Sequence, residues 1–328
     1  MRRPRQTATN SSTARVVVIT GASSGIGRAT ALAFAKQKAN LVLAARSEPD
    51  LVAVAAECRE RGSEVLVRPT DVSDESRVKA LAEAAVARFG RIDVWVGAAS
   101  VFSYGTFEQT PPAVFRQVLE TTFFGQVYGA RAVLPHFRRQ GGGVLILVGS
   151  VYSRITTPYV SAYVASKQAL LGFAEVLGQE VRRDRIAVCS VLPATIDTPI
   201  YQHAANYTAQ RVHPLPPVVS PYRVARTIVH LARRPRRLAV VGQVQRGFLP
   251  VHDLLPWLFH PGIRVVMNTL ALRGGTVAAT DGTVFEPQPD SNRITGGWRR
   301  GRGRWLGAVA VLGAAALAVG SRRLSRGR

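Results

Sequence analysis

Three side chains stand at spacings that could support proton transfer. Tyr163 and Lys167 are four residues apart in a stretch that predicts a helix, so their side chains share one helix face. Ser150 ends the apolar segment that precedes this helix. An ammonium beside a phenol stabilises the phenolate and lowers a pKa that starts near about 10. The set therefore indicates a general acid/base at Tyr163, tuned by Lys167, with Ser150 polarising a substrate carbonyl.

A glycine-rich turn near the amino terminus indicates a nucleotide site. Residues 20–27 read TGASSGIG and stand between a predicted strand and a predicted helix. Glycines let the chain turn tightly, and backbone amides at a helix N-terminus can bind a diphosphate. The spacing is Gly-xxx-Gly-x-Gly rather than the G-x-G-x-x-G of the longer dehydrogenases. The candidate contacts are Gly21, Ser23, Ser24, Gly25, Ile26 and Gly27.

The end of the second predicted strand favours NADP(H) over NAD(H). The chain reads Ala44-Ala45-Arg46 where an acid would accept a hydrogen bond from a ribose 2′-hydroxyl. A guanidinium at this place can pair with a 2′-phosphate instead. A solvated surface arginine in an arginine-rich chain is the alternative interpretation of Arg46.

Strand and helix patterns alternate from Arg15 to Gly242, which predicts the elements that position these groups. Short runs of Val, Ile and Leu alternate with alanine-rich helical stretches, as in βαβ units. The runs are almost continuously apolar, as expected for a sheet covered by helices on both faces. The predicted class is α/β with a doubly wound, Rossmann-like parallel sheet. Between Pro199 and Pro221 the alternation stops, which predicts a lid or a disordered loop.

Over roughly Arg15 to Gly242 the chain resembles the short-chain dehydrogenase/reductase family. Five features match the family pattern in order along the chain. They are the TGxxxGxG turn, Asp71-Val72 after the third strand, Ser150 thirteen residues before Tyr163, the YxxxK pair, and Pro193 followed by Thr198.

The resemblance implies hydride transfer between NADP(H) and a carbonyl or an alcohol. It implies that Tyr163 is the general acid/base, that Ser150 orients the substrate oxygen, and that Lys167 holds the nicotinamide ribose and lowers the pKa of the phenol. Asp71 would contact the adenine and Thr198 the nicotinamide amide. The further cofactor contacts implied by the family pattern are Val72, Ala98, Pro193 and Ile196.

Three departures from the family pattern bear on activity. Residues 97–100 read Gly-Ala-Ala-Ser where the family has Asn-Asn-Ala-Gly, which removes side-chain hydrogen bonds around the cofactor. Thr122 stands where a helix Asn holds a water of the proton relay, and Ala194 replaces a glycine. A threonine can still bind a water, so we expect activity with slower proton exchange and keep Thr122 as a catalytic candidate. A membrane-tethered NADP-binding scaffold or sensor with little turnover is the alternative.

The composition is strongly basic, with 43 Lys and Arg against 20 Asp and Glu and a net charge of +23. Arginines cluster in residues 1–14, predicted to be a disordered basic arm, and in the basic tail of residues 322–328. No RNA-binding motif or zinc-finger spacing accompanies them, so the charge favours a membrane surface over nucleic acid. Cys58 and Cys189 provide no disulfide or metal framework, and no metal is expected.

The predicted NADP-binding domain spans residues 15–246 and is followed by apolar additions. Residues 247–272 form an apolar appendix and residues 273–304 a linker rich in Gly, Pro and Asp. Residues 305–321 are uncharged and would reach about 25 Å as a helix, close to a hydrocarbon core of about 30 Å. They predict a single transmembrane helix, with a buried or surface-lying helix as the alternative.

The additions predict a membrane-associated enzyme with a lipophilic substrate. Tyr201 and Tyr207 in the lid segment suit a steroid, a retinoid or a long-chain lipid ketone, and equally a soluble aromatic substrate. The supply of NADP(H) places the catalytic domain in the cytoplasm. The family resemblance further suggests a homodimer or homotetramer.

Overall fold

A seven-stranded parallel sheet forms the centre of the computed structural model, which describes residues 14–242, 247–288 and 292–299. The strands are β1 (Val16–Thr20), β2 (Asn40–Ala45), β3 (Val65–Pro69), β4 (Val94–Gly97), β5 (Ser103–Tyr104), β6 (Gly143–Val148), β7 (Ile186–Pro193), β8 (Ala205–Asn206), β9 (Gln210–Val212), β10 (Leu238–Val241) and β11 (Leu272–Thr276). The order across the main sheet is β10-β7-β6-β4-β1-β2-β3, with all neighbours parallel. The predicted doubly wound α/β class is confirmed.

Helices cover both faces of this sheet. The helices of the described residues are α1 (Gly25–Ala35), α2 (Glu48–Arg59), α3 (Glu75–Phe89), α4 (Pro112–Leu119), α5 (Gly125–Gln140), α6 (Ser161–Glu180), α7 (Pro221–Arg233), α8 (Phe248–Leu254) and α9 (Pro256–Val266). One core contains side chains of α1, α2 and α7, including Phe34. The other contains side chains of α3, α5 and α6, including Phe137. Burial on both faces explains why the strands are apolar throughout.

The topology places a crevice between the carboxyl ends of β1 and β4. Strand β1 pairs with β2 on one side and with β4 on the other. The connections that leave these two ends run to opposite faces, and doubly wound folds bind ligands at such a point. Gly21 has a φ of +68°, and a Cβ there would lie 2.7 Å from the backbone nitrogen of Ala99. The two strand ends are therefore in direct contact at the edge of the crevice.

A turn of π-helix interrupts the helical stretch over residues 112–140. It spans Glu120–Phe124 and joins α4 to α5. Such a turn widens the helix locally and is frequent at functional sites. Thr122 lies in this turn and is fully buried, so the local widening sets where the candidate hydroxyl points.

The predicted lid segment contains regular structure. A 3₁₀ turn at Pro199–Tyr201 is followed by β8 and β9. Strand β8 pairs with β5, and β9 pairs antiparallel with β11. These contacts tie the segment to two other parts of the chain.

The additions after β10 also pack against the domain. The predicted appendix forms α8, α9 and a π-helical turn at Met267–Ala271. Described residues of the predicted linker at 273–304 pair with other parts of the chain. Most of β11 lies in this range, and Thr280 forms a bridge with Asn206. Backbone hydrogen bonds of this kind need no particular side chains, so the composition of the segment does not predict them.

Several predicted segments lie outside the described residues. They are residues 1–13 of the basic arm, the transmembrane helix predicted at 305–321 and the tail at 322–328. Within 14–242, 247–288 and 292–299, the structure contains no helix with the length and apolar character needed to cross a membrane.

Candidate active site

A cavity of about 420 Å³ opens at the carboxyl edge of the main sheet. Its wall combines the glycine-rich turn with residues that follow β2, β3, β4, β6 and β7. The candidates on this wall are Gly21, Ser23, Ser24, Gly25, Ile26, Gly27, Arg46, Asp71, Val72, Ala98, Ser150, Tyr163, Lys167, Pro193, Ile196 and Thr198. The structure thus brings the predicted nucleotide turn and the predicted proton-transfer groups to one cavity.

Tyr163 lies in the first turn of α6 with its ring among other aromatic side chains. The ring centroid lies 4.0 Å from that of Phe102 and 6.2 Å from that of Tyr152. Burial raises the pKa of the Tyr163 phenol above its ordinary value, whereas hydrogen bonds with Ser100 and Ser150 lower it. The balance leaves the phenol protonated at neutral pH.

Lys167 lies one helical turn further along α6 and is fully buried. Its Nζ donates a 2.8 Å hydrogen bond to the carbonyl of Val148 at the end of β6 and lies 5.4 Å from the Tyr163 ring centroid. Burial lowers the pKa of this ammonium from 10.5 to about 7. An ammonium has three donors, so donors other than the one bound to Val148 are available to a ligand in the cavity.

Ser150 is fixed by the short 3₁₀ turn at Val151–Ser153. Its Oγ accepts a 3.2 Å hydrogen bond from the backbone N–H of Tyr152, and its own N–H donates to Ser153 Oγ at 3.4 Å. Neither bond uses the hydroxyl proton of Ser150, which serves the hydrogen bond with Tyr163. This N-cap holds the donor at the cavity wall between β6 and α6.

Ser100 is a site residue that sequence reasoning missed. Its Oγ lies 3.3 Å from Thr122 Oγ1, and its hydroxyl forms the hydrogen bond that lowers the pKa of Tyr163. Thr122 lies behind it, bonded to the backbone N–H and carbonyl of Val101 at 3.2 and 3.3 Å. Thr121 rather than Thr122 lines the cavity. The signal in the sequence was a hydroxyl where the family has a glycine.

Side chains of Thr20 and Gln126 form hydrogen bonds with the residues that follow β4. Thr20 Oγ1 accepts from the backbone N–H of Ala98 at 3.2 Å and of Ala99 at 3.5 Å, which ties β1 to β4. Gln126 Nε2 donates to the Ala99 carbonyl at 3.0 Å. A Cβ on Gly97 would lie 1.7 Å from Gln126 Oε1, so the glycine makes room for the glutamine.

The glycine turn brings the first helix close to the strand before it. A Cβ on Gly27 would lie 2.0 Å from the Gly21 carbonyl oxygen, so only a glycine fits. Helix α1 therefore begins at the cavity wall with its first N–H groups near the ligand space, as a diphosphate-binding turn requires.

Arg46 and Asp71 lie at the far end of the cavity, after β2 and β3. Arg46 is partly desolvated, which lowers its pKa, and the carboxylate of Asp71 opposes that shift. Asp71 Oδ1 accepts hydrogen bonds from the N–H and the hydroxyl of Ser73 at 3.0 and 2.7 Å. Arg46 can thus offer a cation, and Asp71 a fixed carboxylate, to the adenosine half of a dinucleotide. With Lys167 and the N-terminus of α1, the donor set fits a nicotinamide dinucleotide.

Comparisons with known proteins agree with this geometry. The profile of the family described as short chain dehydrogenase matches residues 15–208. The protein named uncharacterized oxidoreductase YxnA of Bacillus subtilis is 35% identical over 248 residues, which is 74% of this chain and 70% of that protein. The 11-beta-hydroxysteroid dehydrogenase A of Sesamum indicum is 38% identical over 200 residues, 60% of this chain and 57% of that protein.

A solved structure shows the same similarity. The alcohol dehydrogenase from the archaeon Thermococcus sibiricus, complexed with 5-hydroxy-NADP, superposes with a TM-score of 0.61 at 27% identity. The match covers 69% of this chain and 94% of that one.

If the Tyr163 phenolate acts as the base in an oxidation, Ser100→Ala should shift the pH profile of that reaction to higher pH. The substitution removes a hydrogen bond that lowers the pKa of this phenol. A hydrogen bond to a charged group changes rates by roughly tenfold, so kcat at pH 8 should fall by about that factor. The measurement is kcat against pH. Ser161→Ala, on the exposed start of α6, is the control, and an unshifted profile in Ser100→Ala would exclude this role.

Proposed function

The chain belongs to the short chain dehydrogenase family, and on that premise we propose that it is an NADP(H)-dependent oxidoreductase that interconverts a carbonyl and an alcohol on a lipophilic substrate. The observation that carries the proposal is the convergence of Ser150, Tyr163 and Lys167 with the glycine turn on one cavity. The sixteen candidates on the cavity wall remain the proposed site residues, with Thr122 acting through Ser100.

The proposed mechanism assigns the proton to the protein. A bound nicotinamide supplies or accepts the hydride at the carbon. In reduction, Tyr163 Oη gives its proton to the substrate oxygen, and in oxidation it takes that proton back. The Ser150 hydroxyl donates to the same oxygen and holds it against the phenol. Lys167 would bind the ribose of the cofactor. When charged, it favours the phenolate of Tyr163, the form present after the proton has been given and before it is taken back.

Tyr163→Phe should abolish turnover and leave cofactor binding within about twofold of the native value, because it removes the transferable proton and little volume. The measurements are turnover with a panel of ketones and alcohols, and titration with NADPH. Tyr222→Phe, on the exposed face of α7, is the matched control. Substantial turnover in Tyr163→Phe would assign the proton to another group.

NADP(H) is proposed over NAD(H) because of Arg46. The guanidinium lines the cavity after β2, where the chain lacks the acid that would bind a 2′-hydroxyl. The alcohol dehydrogenase of Thermococcus sibiricus binds an NADP derivative in its solved complex, which supports the same choice.

Arg46→Ala should reduce the preference for NADPH over NADH by roughly 10- to 100-fold. Charge-assisted hydrogen bonds to a phosphate are worth about 1.5–3 kcal/mol, and NADH lacks this phosphate. The measurement is the ratio of the two dissociation constants, which cancels effects common to both cofactors. Arg77→Ala, at an exposed ion pair on α3, should leave the ratio unchanged. Equal native affinities, or an unchanged ratio in Arg46→Ala, would remove the assignment.

A lipophilic substrate is proposed from the walls of the cavity beyond Tyr163. Aromatic side chains of Phe102, Tyr152 and Tyr201 line one part, and α8 and α9 contribute Phe248, Leu258 and Ile263. The name of the Sesamum indicum relative, a hydroxysteroid dehydrogenase, supports a substrate of this character. We further propose that residues 305–321 tether the enzyme to a membrane with the catalytic domain in the cytoplasm, and that the enzyme is a homo-oligomer.

Cell fractionation tests the proposed tether. The full chain should sediment with membranes and resist extraction by salt, whereas a form ending at Arg299, which keeps every described contact, should be released. The full chain should bind membranes more strongly because it contains the apolar tail and its flanking arginines, which the shorter form lacks. The appearance of both forms in the soluble fraction would contradict the tether and would leave the cavity walls and the Sesamum indicum relative as the support for a lipophilic substrate.

A further inference from the structure

Two described pieces near the carboxyl terminus cross the opening of the cofactor crevice. We name residues 281–288 and 292–299 together the C-terminal strap. The first piece lies against Arg46, and the second lies between the N-terminus of α1 and the segment after β7. Thr283 and Pro287 of the strap line the same cavity as the glycine turn.

The first piece engages the cation that is proposed to read the 2′-phosphate. Arg46 Nη2 donates to the carbonyl of Thr283 at 2.6 Å. Its Nη1 donates to the carbonyls of Phe285 at 2.8 Å and Val284 at 3.3 Å. Three neutral oxygens therefore surround a guanidinium that would otherwise be open to an anionic oxygen, and the carboxylate of Glu286 adds a favourable charge.

The second piece engages the end of the helix that is proposed to hold the diphosphate. The N–H of Gly25, the first residue of α1, donates to the carbonyl of Arg293 at 3.0 Å. The guanidinium of Arg28 donates to the carbonyl of Asn292. The first N–H groups of a helix lack partners in their own helix and bind anions. Here a strap carbonyl occupies one of those donors.

The opposite end of this piece is anchored at the segment after β7. Asp197 Oδ1 accepts from the backbone N–H groups of Gly296 and Trp298 at 3.1 and 2.9 Å. Trp298 Nε1 donates to the Thr198 carbonyl at 3.2 Å, and its ring packs edge-on against Tyr201 at 6.3 Å. The strap therefore joins the two walls between which a dinucleotide would enter.

We propose that the C-terminal strap is an autoinhibitory element that holds the cofactor site closed until NADP(H) displaces it. The inference rests on the proposed function, because it identifies the strap contacts with the proposed phosphate contacts. The single N–H of Gly25 cannot serve both the Arg293 carbonyl and a diphosphate oxygen. The apparent dissociation constant of the cofactor is then the intrinsic constant divided by the fraction of molecules in which the strap is open.

Two substitutions at strap residues should open the strap by weakening its contacts with the Thr198 carbonyl. A Cβ on Gly296 would lie 2.5 Å from the Thr198 carbonyl oxygen and 2.3 Å from Trp298 Nε1, so Gly296→Ala displaces the anchor by steric clash. Trp298→Ala removes the indole bond and the ring contact. The matched controls are Gly172→Ala, where a Cβ meets nothing within 4 Å, and Trp257→Ala, which is 46% exposed on α9.

The experiment measures NADPH dissociation constants by nicotinamide fluorescence in the full chain and these variants. Gly296→Ala and Trp298→Ala should each bind NADPH about tenfold more tightly, as expected for loss of one or two hydrogen bonds from the closed state, and the controls should match the native chain. Hydrogen exchange of residues 283–288 and 292–298 in the native chain should become faster when NADPH is added.

The outcomes separate this inference from the proposed function. Unchanged or weaker NADPH binding in both strap variants would overturn autoinhibition, and so would slower hydrogen exchange of the strap when NADPH is added. In either case, NADPH binding by the native chain would leave the proposed function intact. Absence of NADPH binding in the native chain and in every variant would overturn both. NADPH binding by the strap variants but not by the native chain would support both autoinhibition and the proposed function.

Discussion

The carboxyl ends of β1 and β4 touch each other, and the position of the crevice follows from that contact. Gly21 allows the approach because a Cβ would overlap the backbone at Ala99. Thr20 then uses one hydroxyl to hold both N–H groups that follow β4. Once these ends are fixed, α1 has to leave on one face and the chain after β4 on the other. The glycine turn, Ser100 and the end of β6 consequently face the same cavity.

Burial controls the chemistry of the groups in that cavity. Desolvation disfavours the charged forms of the two α6 side chains, Tyr163 and Lys167. It therefore raises the pKa of the Tyr163 phenol and lowers that of the Lys167 ammonium to about 7. The sequence predicts instead that the ammonium lowers the pKa of the phenol. That expectation stays a prediction. An anionic ligand in the cavity would favour the charged form of Lys167, and on the proposed mechanism a charged Lys167 would then stabilise the Tyr163 phenolate.

Features with local periodicity could be predicted from the sequence. The apolar strands, the helix that carries Tyr163 and Lys167, and the glycine turn all have patterns within about ten residues, and the structure places them as predicted. The ties made by Thr20 and Gln126 lack such a pattern, because each joins residues that are far apart in the chain. The strap could not be predicted either. Arg46 and Phe285 are 239 residues apart, and their contact uses a backbone carbonyl that any residue provides.

Arg46 connects the proposed cofactor preference to the strap. The same guanidinium is the proposed contact of the 2′-phosphate and the donor to the strap carbonyls. The strap offers it neutral carbonyl oxygens, whereas a 2′-phosphate offers charged ones, and charge-assisted hydrogen bonds are roughly twice as strong as neutral ones. On the proposed function, NADPH would therefore replace the strap at Arg46 with a net gain, whereas NADH would bring only a hydroxyl to this position. A closed strap raises the apparent dissociation constants of both cofactors by the same factor. The proposed preference for NADPH therefore comes from the contact of Arg46 with the phosphate and not from the strap.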